Sequence, residues 1–455
     1  MAVLEAKDAA DWTYRGEGAA NIVLAYTGSS PQFVCKVLRI EKVLRNGSIK
    51  DDGPSALTGY ERLLWNGNLV LAPTKKIAEL LYVQHVMSPL LGPDHIDAGN
   101  LIPVSREFLE SVASKVLCQR PSWRVDAAKP NVLRDSALLI SDHSIFPCGA
   151  LKEENCISVE IKPKCGFLPF SRFIADENAI KSCTSRFRMH QALKLHQGQI
   201  SEISKYEPLD MFSGSRDGVY KAIKSLFLTP QNNFRVFLNG SLKFWGLGGG
   251  TESTTCLTSE AFEDVLKSVI LADDDTRTEF FLQLVAEAIF KSGLLDRLLD
   301  VQKLDFFDIE GAIHAYYDVV SQPCTVCREL GEDQMSGRYS LLHLFPLDES
   351  LKIVRNHLIA ATAKDLSVMI SFRPRENGDL ESPYNVLFRE STNQTFDYKV
   401  SFIDLDIKPL KKMEYYYELD NQIVKFYTQM VRLKHQPENG ASIEESSYCD
   451  KPCAM

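Results

Sequence analysis

At 455 residues the chain is too long for one minimal core, and its formal net charge of −9 makes it acidic overall. A span of about 100–200 residues per domain gives two or three packed units. With 45% hydrophobic and 24% charged residues the composition is that of a globular enzyme, and the acidic balance argues against a general nucleic-acid binder.

No apolar run approaches the ~20 residues that a bilayer span needs. Acids stand among the first eight residues, where a secretion signal would be basic and then apolar. The eleven cysteines are scattered and odd in number. Without a secretion signal they read as reduced thiols or metal ligands, not as a disulfide framework. The expectation is a cytoplasmic or nuclear monomer that neither inserts in a membrane nor binds nucleic acid.

In chain order, residues 12–40 alternate and punctuate like a hairpin. Tyr14-Arg15-Gly16-Glu17-Gly18 leads into Ile22-Val23-Leu24-Ala25-Tyr26, a turn follows at Gly28–Pro31, and Phe33–Leu38 returns. Residues 46–56 read as a polar loop. A helix is expected over 105–117, with strands at Ser136–Ile140 and Ile157–Ile161 and a helix at Ser185–Leu195. Further strands are expected at 233–239, 366–372 and 398–404, and helices at 258–271, 278–292, 349–364 and 410–432. From residue 434 the text turns small and polar and reads as a disordered tail, 434–455. Strands concentrated in the first third and helices beyond it predict an α+β fold with a cleft between lobes, 1–157 and 158–433.

Five constellations could carry chemistry. Gly16-Glu17-Gly18-Ala19-Ala20-Asn21 lies between two apolar strands, where glycine lets backbone N–H groups approach phosphates. Lys36 and Arg39 follow on the return strand. A lone G-x-G is also an ordinary turn, and neither a Rossmann fingerprint nor a Walker A loop is present. Next, strand alternation in Ser158–Lys164 points Glu160, Lys162 and Lys164 the same way, with Val159 and Ile161 opposite. Third, Arg186, His190 and Lys194, spaced by four, share one face of a helix. From Lys162 to Lys194 there are seven Lys or Arg (Lys162, Lys164, Arg172, Lys181, Arg186, Arg188, Lys194) against two acids, Asp176 and Glu177. In an acidic chain that local excess points to an anion site, although any one cation could belong to a solvated face. Lys408, Lys411 and Lys412 add a late basic cluster.

The fourth is a pair of strand-edge acids, Asp365 and Asp404. Phosphoryl transfer needs one carboxylate for the hydroxyl proton and one for magnesium, whereas an isolated strand-end Asp is more often a turn cap. The fifth is His314, Cys324, Cys327 and His343, spaced H-x9-C-x2-C-x15-H. Thiolate and imidazole ligands suit tetrahedral zinc; a redox-active C-x-x-C is the alternative, though nothing around it reads as thioredoxin-like. Four protein ligands would make such a metal structural.

Taken together, R-G-E-G-A-A-N at 15–21, E-I-K-P-K-C-G-F at 160–167, R-F-R-M-H-Q-x-L-K at 186–194, N-N-F-R-V-F at 232–237 and F-I-D-L-D-I-K-P-L at 402–410 resemble the inositol-pentakisphosphate 2-kinases, above all those of plants. The resemblance runs from about residue 5 to 433. It implies a two-lobed fold distantly like the protein kinases. The reaction it implies uses Mg-ATP to phosphorylate the 2-hydroxyl of inositol 1,3,4,5,6-pentakisphosphate, giving the hexakisphosphate (phytate). On the nucleotide side it implies Gly18, Ala19, Ala20 and Asn21 over the phosphates, with Arg39 beside them. Ser141, Asp142 and His143 would form the adenine hinge, and Glu160, Ile161, Lys162 and Arg235 would complete that side. For the inositol phosphate it implies Arg124, Lys164, Lys194, Asn232, Lys408, Lys412 and Tyr416. Asp365 is implied as catalytic base, Asp404 as the magnesium acid, and the His/Cys quartet as zinc ligands. Two positions depart from the pattern. Lys412 stands where arginine is expected, keeping the charge but losing a bidentate fork. Leu44 replaces a basic residue, with Arg45 next to it.

Independently of the resemblance, five phosphomonoesters carry roughly −7 to −10 charges, which only concentrated Lys and Arg could balance. Two competing readings are a choline-type kinase, which would need an acidic acceptor pocket, and a non-enzymatic phosphoinositide or RNA binder. The second would leave the glycine loop and both aspartates without a task.

Overall fold

The computed structural model describes residues 3–18, 20–45, 57–65, 67–146, 155–246, 259–329, 342–375 and 382–434. Ala19, the expected loop at 46–56 and all of the expected tail except Lys434 fall outside these residues.

Two antiparallel sheets of six strands each organise the chain. The first is built from β1 (Trp12–Glu17), β2 (Asn21–Tyr26), β3 (Lys36–Leu44), β4 (Asn100–Pro103), β5 (Ala128–Pro130) and β6 (Ser136–Ser141), in the order β1-β2-β3-β6-β4 with β5 also on β3. The period-2 pattern is visible in β2 and β3, where Ile22, Leu24, Leu38 and Ile40 face the core and Leu24 pairs with Leu38. They pack with Trp12 against the helix Arg106–Val116, whose Phe108, Leu109, Val112 and Val116 form its apolar stripe. That helix begins because the Ser105 side chain accepts a hydrogen bond from the Phe108 N–H, 3.1 Å away.

The second sheet contains β7 (Ile157–Ile161), β8 (Phe234–Leu238), β9 (Ser241–Trp245), β10 (Ser367–Pro374), β11 (Asn385–Arg389) and β12 (Gln394–Ile403), in the order β11-β12-β10-β7-β8-β9. β7 and β10 are central. All five residues of β7 are buried, including Ser158 and Glu160, so this strand presents no solvated face. Among the helices, Arg277–Ser292, Asp308–Val319 and Leu347–Ala363 make the largest contributions to the core around this sheet. Buried side chains from 57–91, among them Trp65, Tyr82 and Leu91, join that same core although they lie between strands of the first sheet in sequence. The Tyr82 hydroxyl donates to Thr362 Oγ1 at 3.2 Å. Sheets and helices are segregated in each unit, which makes the class α+β.

The sheets meet along the segment 141–146 and at the end of β12. Ser371 donates to the His143 carbonyl. The Lys399 ammonium donates to the Ile145 carbonyl at 2.5 Å, and Ile96 pairs with Phe402. The ends of β7, β10 and β12 therefore open toward the first sheet at one seam.

Candidate active site

Two carboxylates at this seam are each held by cations from distant parts of the chain. Asp404 follows β12 in the left-handed region, with φ +62°. Its Oδ1 lies 3.5 Å from the Arg39 guanidinium on β3, and its Oδ2 lies 3.5 Å from the Lys162 ammonium just past β7. Arg39 also reaches Asp406, at 3.6 Å. Arg39 thus bridges the two sheets. Burial pushes the Asp404 carboxyl up, but Arg39 and Lys162 outweigh it and hold it below the usual carboxylate range.

Asp365 stands between the helix Leu347–Ala363 and β10. Its Oδ2 accepts from Lys408 Nζ at 2.9 Å, and Lys164 Nζ lies 3.7 Å from its Oδ1. Its pKa is also lowered: burial works against the ionised form, and Lys408 and Lys164 prevail. Both acids are ionised at neutral pH and can accept a proton or bind a cation.

Lys164 is the most perturbed of these cations. Burial, aided by the neighbouring charges of Lys162, Lys194 and Lys408, pulls its pKa down to about 8, against the opposing pull of Asp365. Lys194 is pulled down by burial and by Arg186. His190, on the same helix face, is driven down to about 3 by burial and by Lys194, Arg186 and Lys164, so it is neutral and adds no charge. Tyr416 is pushed up to about 12 by burial and by Asp365, which places its hydroxyl in the same field. Lys164 and Lys408 therefore pair with Asp365, and Lys194 and Tyr416 lie within its electrostatic reach.

On the opposite side, Glu160 is buried and fixed by Arg235 on β8, 3.2 Å away, and by a 3.0 Å hydrogen bond from Ser367. Ile161 ends β7 inside the core. Asp142 accepts from Arg15 at 2.8 Å and from the Ser144 N–H at 2.9 Å. Ser141 accepts from Lys36 Nζ at 3.0 Å. Burial, together with Lys399, drives the His143 imidazole down to about 4, so this ring stays neutral. In the glycine loop the Gly18 N–H donates to the Asn21 carbonyl at 3.0 Å, and the Gly18 carbonyl accepts from Lys42 Nζ at 2.6 Å. Nothing lies within 4 Å of a Cβ placed on Gly18, so the loop has open space above it. Arg124 is placed at this loop and not among the lysines: it stacks over Trp123 at 4.1 Å and its Nη1 lies 3.3 Å from the Gly18 carbonyl. Asn232 and Lys412 stand exposed on turns before β8 and before the last helix, Met413–Lys434.

One residue of the basic excess is not available to an anion. Lys181 is 3% exposed and its ammonium is enclosed by Asp308, by Glu310 at 3.0 Å and by Asp420 at 2.7 Å. Asp420 also takes Arg186 at 2.9 Å. A charge in that position binds helices together and cannot meet a phosphate, which corrects the sequence reading at that residue.

A separate cluster joins His314, Cys324, Cys327 and His343. Cys327 Sγ lies 3.1 Å from His314 Nδ1 and 3.1 Å from His343 Nε2, and Cys324 Sγ lies 3.5 Å from His314 Nδ1. One donor atom of each lies within 4.8 Å of all the others. Metal–nitrogen and metal–sulfur bonds of about 2.0–2.3 Å arranged tetrahedrally require separations of about 3.3–3.8 Å, so the quartet is close to a four-ligand cage. His343 Nδ1 is engaged by Asp318 Oδ1 at 2.7 Å, which orients the ring as a carboxylate does behind a ligating histidine.

The comparisons with known proteins decide the family. The inositol-pentakisphosphate 2-kinase family model matches residues 14–422. The chain belongs to that family. It is 56% identical over 444 residues to the inositol-pentakisphosphate 2-kinase of Arabidopsis thaliana, covering 96% of this chain and 97% of the relative. It is 50% identical over 429 residues to that of Oryza sativa subsp. indica, at 94% and 95% coverage. The Danio rerio enzyme of the same name is 30% identical over 506 residues, covering 98% of each. Identity is higher to the plant relatives, as the motifs implied. Membership does not favour the non-enzymatic binder. Among the described residues no helix is long and apolar enough to cross a membrane.

Sequence reasoning missed Asp406, although it sits inside the quoted F-I-D-L-D motif, and missed the structural pairing of Lys181 with three acids. Ser367 could have been found from its place on the strand opposite Glu160, but that pairing needs the sheet order.

If Lys164 and Lys194 face substrate phosphates, Lys164→Ala or Lys194→Ala weakens inositol pentakisphosphate binding by roughly tenfold to a hundredfold, since a charge-assisted contact is worth about 1.5–3 kcal/mol. Mg-ATP affinity stays near that of the wild type. Equal losses for both ligands, measured by calorimetry, contradict the assignment.

Proposed function

We propose that this chain transfers the γ-phosphoryl group of ATP to the 2-hydroxyl of inositol 1,3,4,5,6-pentakisphosphate, producing the hexakisphosphate. The observation that carries the reading is Asp365, an ionised acid set among Lys164, Lys194 and Lys408 beside a second acid, Asp404, held by Arg39 and Lys162. A choline-type acceptor, being a cation, would be repelled by the first group of lysines. A polyanion is drawn to it.

The two sheets form two lobes that would hold ATP between them in a kinase-like arrangement. Gly18, Ala19, Ala20 and Asn21 cover its phosphates, and Ser141, Asp142 and His143 line the adenine side. Glu160, Ile161, Lys162 and Arg235 form the floor on the C-terminal side. Lys164, Lys194, Lys408 and Tyr416 hold the inositol phosphate, with Asn232 and Lys412 at its rim, and Arg124 would reach it from the glycine loop of the first sheet. We read the active unit as a monomer.

In the reaction, the acceptor O–H loses its proton to the Asp365 carboxylate as its oxygen bonds to the γ-phosphorus. The bond from that phosphorus to the β–γ bridging oxygen breaks, and ADP leaves with the electron pair. Arg39 and Lys162 offset negative charge on the transferring group. Magnesium, when bound at Asp404, supplies further neutralisation of the nucleotide phosphates. The zinc reading places the metal at His314, Cys324, Cys327 and His343, where four protein donors leave no open position and its role is structural.

Incubation with Mg-ATP and inositol 1,3,4,5,6-pentakisphosphate, read by anion-exchange chromatography, gives the hexakisphosphate if this is right; no product sinks the reading. Asp365→Asn lowers turnover by at least about a hundredfold, the scale of general-base catalysis, and leaves Mg-ATP binding nearly unchanged. Asp404→Asn instead raises the magnesium needed for activity. Near-normal turnover in both would reduce the two acids to turn caps.

Cys324→Ser lowers zinc content and melting temperature together, because metal binding in such a cage is also folding energy. Purified wild-type protein without stoichiometric zinc by elemental analysis rules the site out.

A further inference from the structure

Lys164 and Asp365 belong to different loops, 201 positions apart in sequence, and their side chains lie 3.7 Å from each other. Something must fix the two loops against one another. Lys164 is itself in the left-handed region, with φ +61°, a conformation that a side-chain-bearing residue keeps only when its surroundings hold it.

One buried side chain meets both loops. Gln302 is the last residue of the helix Leu294–Gln302 and is 0% exposed. Its Nε2 donates to the Lys164 carbonyl at 2.8 Å and to the Ala363 carbonyl at 3.2 Å. Its Oε1 accepts from the Gly166 N–H at 2.8 Å. Both amide donors and the acceptor are used. Two of these bonds clamp the loop of Lys164, and the third takes the last carbonyl of the helix that delivers Asp365 two residues later. Three residues beyond Gln302, Asp305 receives Lys364 at 2.6 Å, a second tether on the residue adjoining Asp365. The Lys164 loop cannot slide to compensate, because a Cβ placed on Gly166 would come within 2.2 Å of the Phe212 ring and the Pro163 carbonyl is taken by Tyr206 at 2.7 Å.

We propose that Gln302 is a positioning residue for phosphoryl transfer, a bridge that sets the distance between the phosphate-binding Lys164 and the proton acceptor Asp365. This rests on the roles given to those two residues above. Gln302 touches neither substrate nor nucleotide. It acts through the backbone of both loops, so its loss moves the acceptor hydroxyl relative to Asp365 while the nucleotide groups on β3, β7 and β8 stay in place.

The test is steady-state kinetics of the full chain at a temperature well below melting, for Gln302→Leu and Gln302→Glu beside Lys164→Ala and Asp365→Asn. A displacement of about 1 Å in such a site costs on the order of a hundredfold. Gln302→Leu is expected to lower kcat by about tenfold to a hundredfold and to raise KM for inositol pentakisphosphate, with KM for ATP within about twofold of the wild type. In the double variant with Lys164→Ala, the effect of Gln302→Leu on inositol pentakisphosphate affinity shrinks, because the residue it positions is gone. If Gln302→Leu yields no folded protein, Gln302→Glu, which keeps the volume and the bond from Gly166, is read by the same criteria. If Lys164→Ala and Asp365→Asn are both fully active, the reading of the site fails. If those two lose activity while the Gln302 variants keep both parameters within twofold, the site stands and the bridge is overturned. A loss shared equally by ATP and inositol pentakisphosphate also overturns it, since that marks general destabilisation.

Discussion

The site depends on half-buried cations held close together by two carboxylates. Lys162, Lys164, Lys194 and Lys408 crowd around two carboxylates, and burial weakens the water that would otherwise screen them. Asp365 and Asp404 offset part of that repulsion, and the remainder is set up for an anion of high charge. An arrangement so costly in the free protein is stable only on a rigid frame. The frame is the pair of central strands β7 and β10, buried from both sides, whose ends deliver Lys162, Lys164 and Asp365 to the seam between the sheets.

The same logic explains the second buried knot. Asp308, Glu310 and Asp420 could not share a dry interior without Lys181 among them, and leaving such charges unpaired typically costs about 3–5 kcal/mol. The knot ties the helix that begins at Asp308, the helix Met413–Lys434 and, through Arg186, the helix Arg186–His196. Those last two carry Tyr416 and Lys194. A structural ion cluster thus ties together the two elements that carry Tyr416 and Lys194, and Gln302 ties the Lys164 loop to the helix before Asp365.

Much of this was legible in the sequence, and the limits have physical causes. The alternation over residues 12–40 gave the β2–β3 hairpin but not the strands β4 and β5 that complete the first sheet, and the strand-edge positions of Asp365 and Asp404 survive in the fold. β7 was expected to alternate, but a strand central in a sheet is covered on both faces and keeps even Ser158 and Glu160 inside. The helix Asp308–Val319 escaped notice because its first turn is acidic and looks solvated; its partner Lys181 lies 127 positions away. Lys181 reads as one more surface cation for the same reason. The His/Cys quartet is readable from spacing because two cysteines and two histidines so close in sequence are rare by chance, whereas Gln302 gives no signal, since an amide that bridges two backbones resembles any other glutamine in the sequence.

The central claim, that a desolvated lysine waits at this site for a polyanion, has a direct thermodynamic signature. Lys164, with its pKa pulled down to about 8, is about half deprotonated at pH 8 in the free protein. A bound phosphate favours the charged form and raises that pKa, so binding must take up a proton at and above pH 8. Below pH 7 Lys164 is already charged and contributes no uptake. Calorimetric titration of inositol 1,3,4,5,6-pentakisphosphate at pH 8, in two buffers of different ionisation enthalpy, measures the protons exchanged. The wild type is predicted to take up more protons than Lys164→Gln at this pH, the free ligand's own titration being common to both proteins. Identical proton counts for the two proteins would contradict the account.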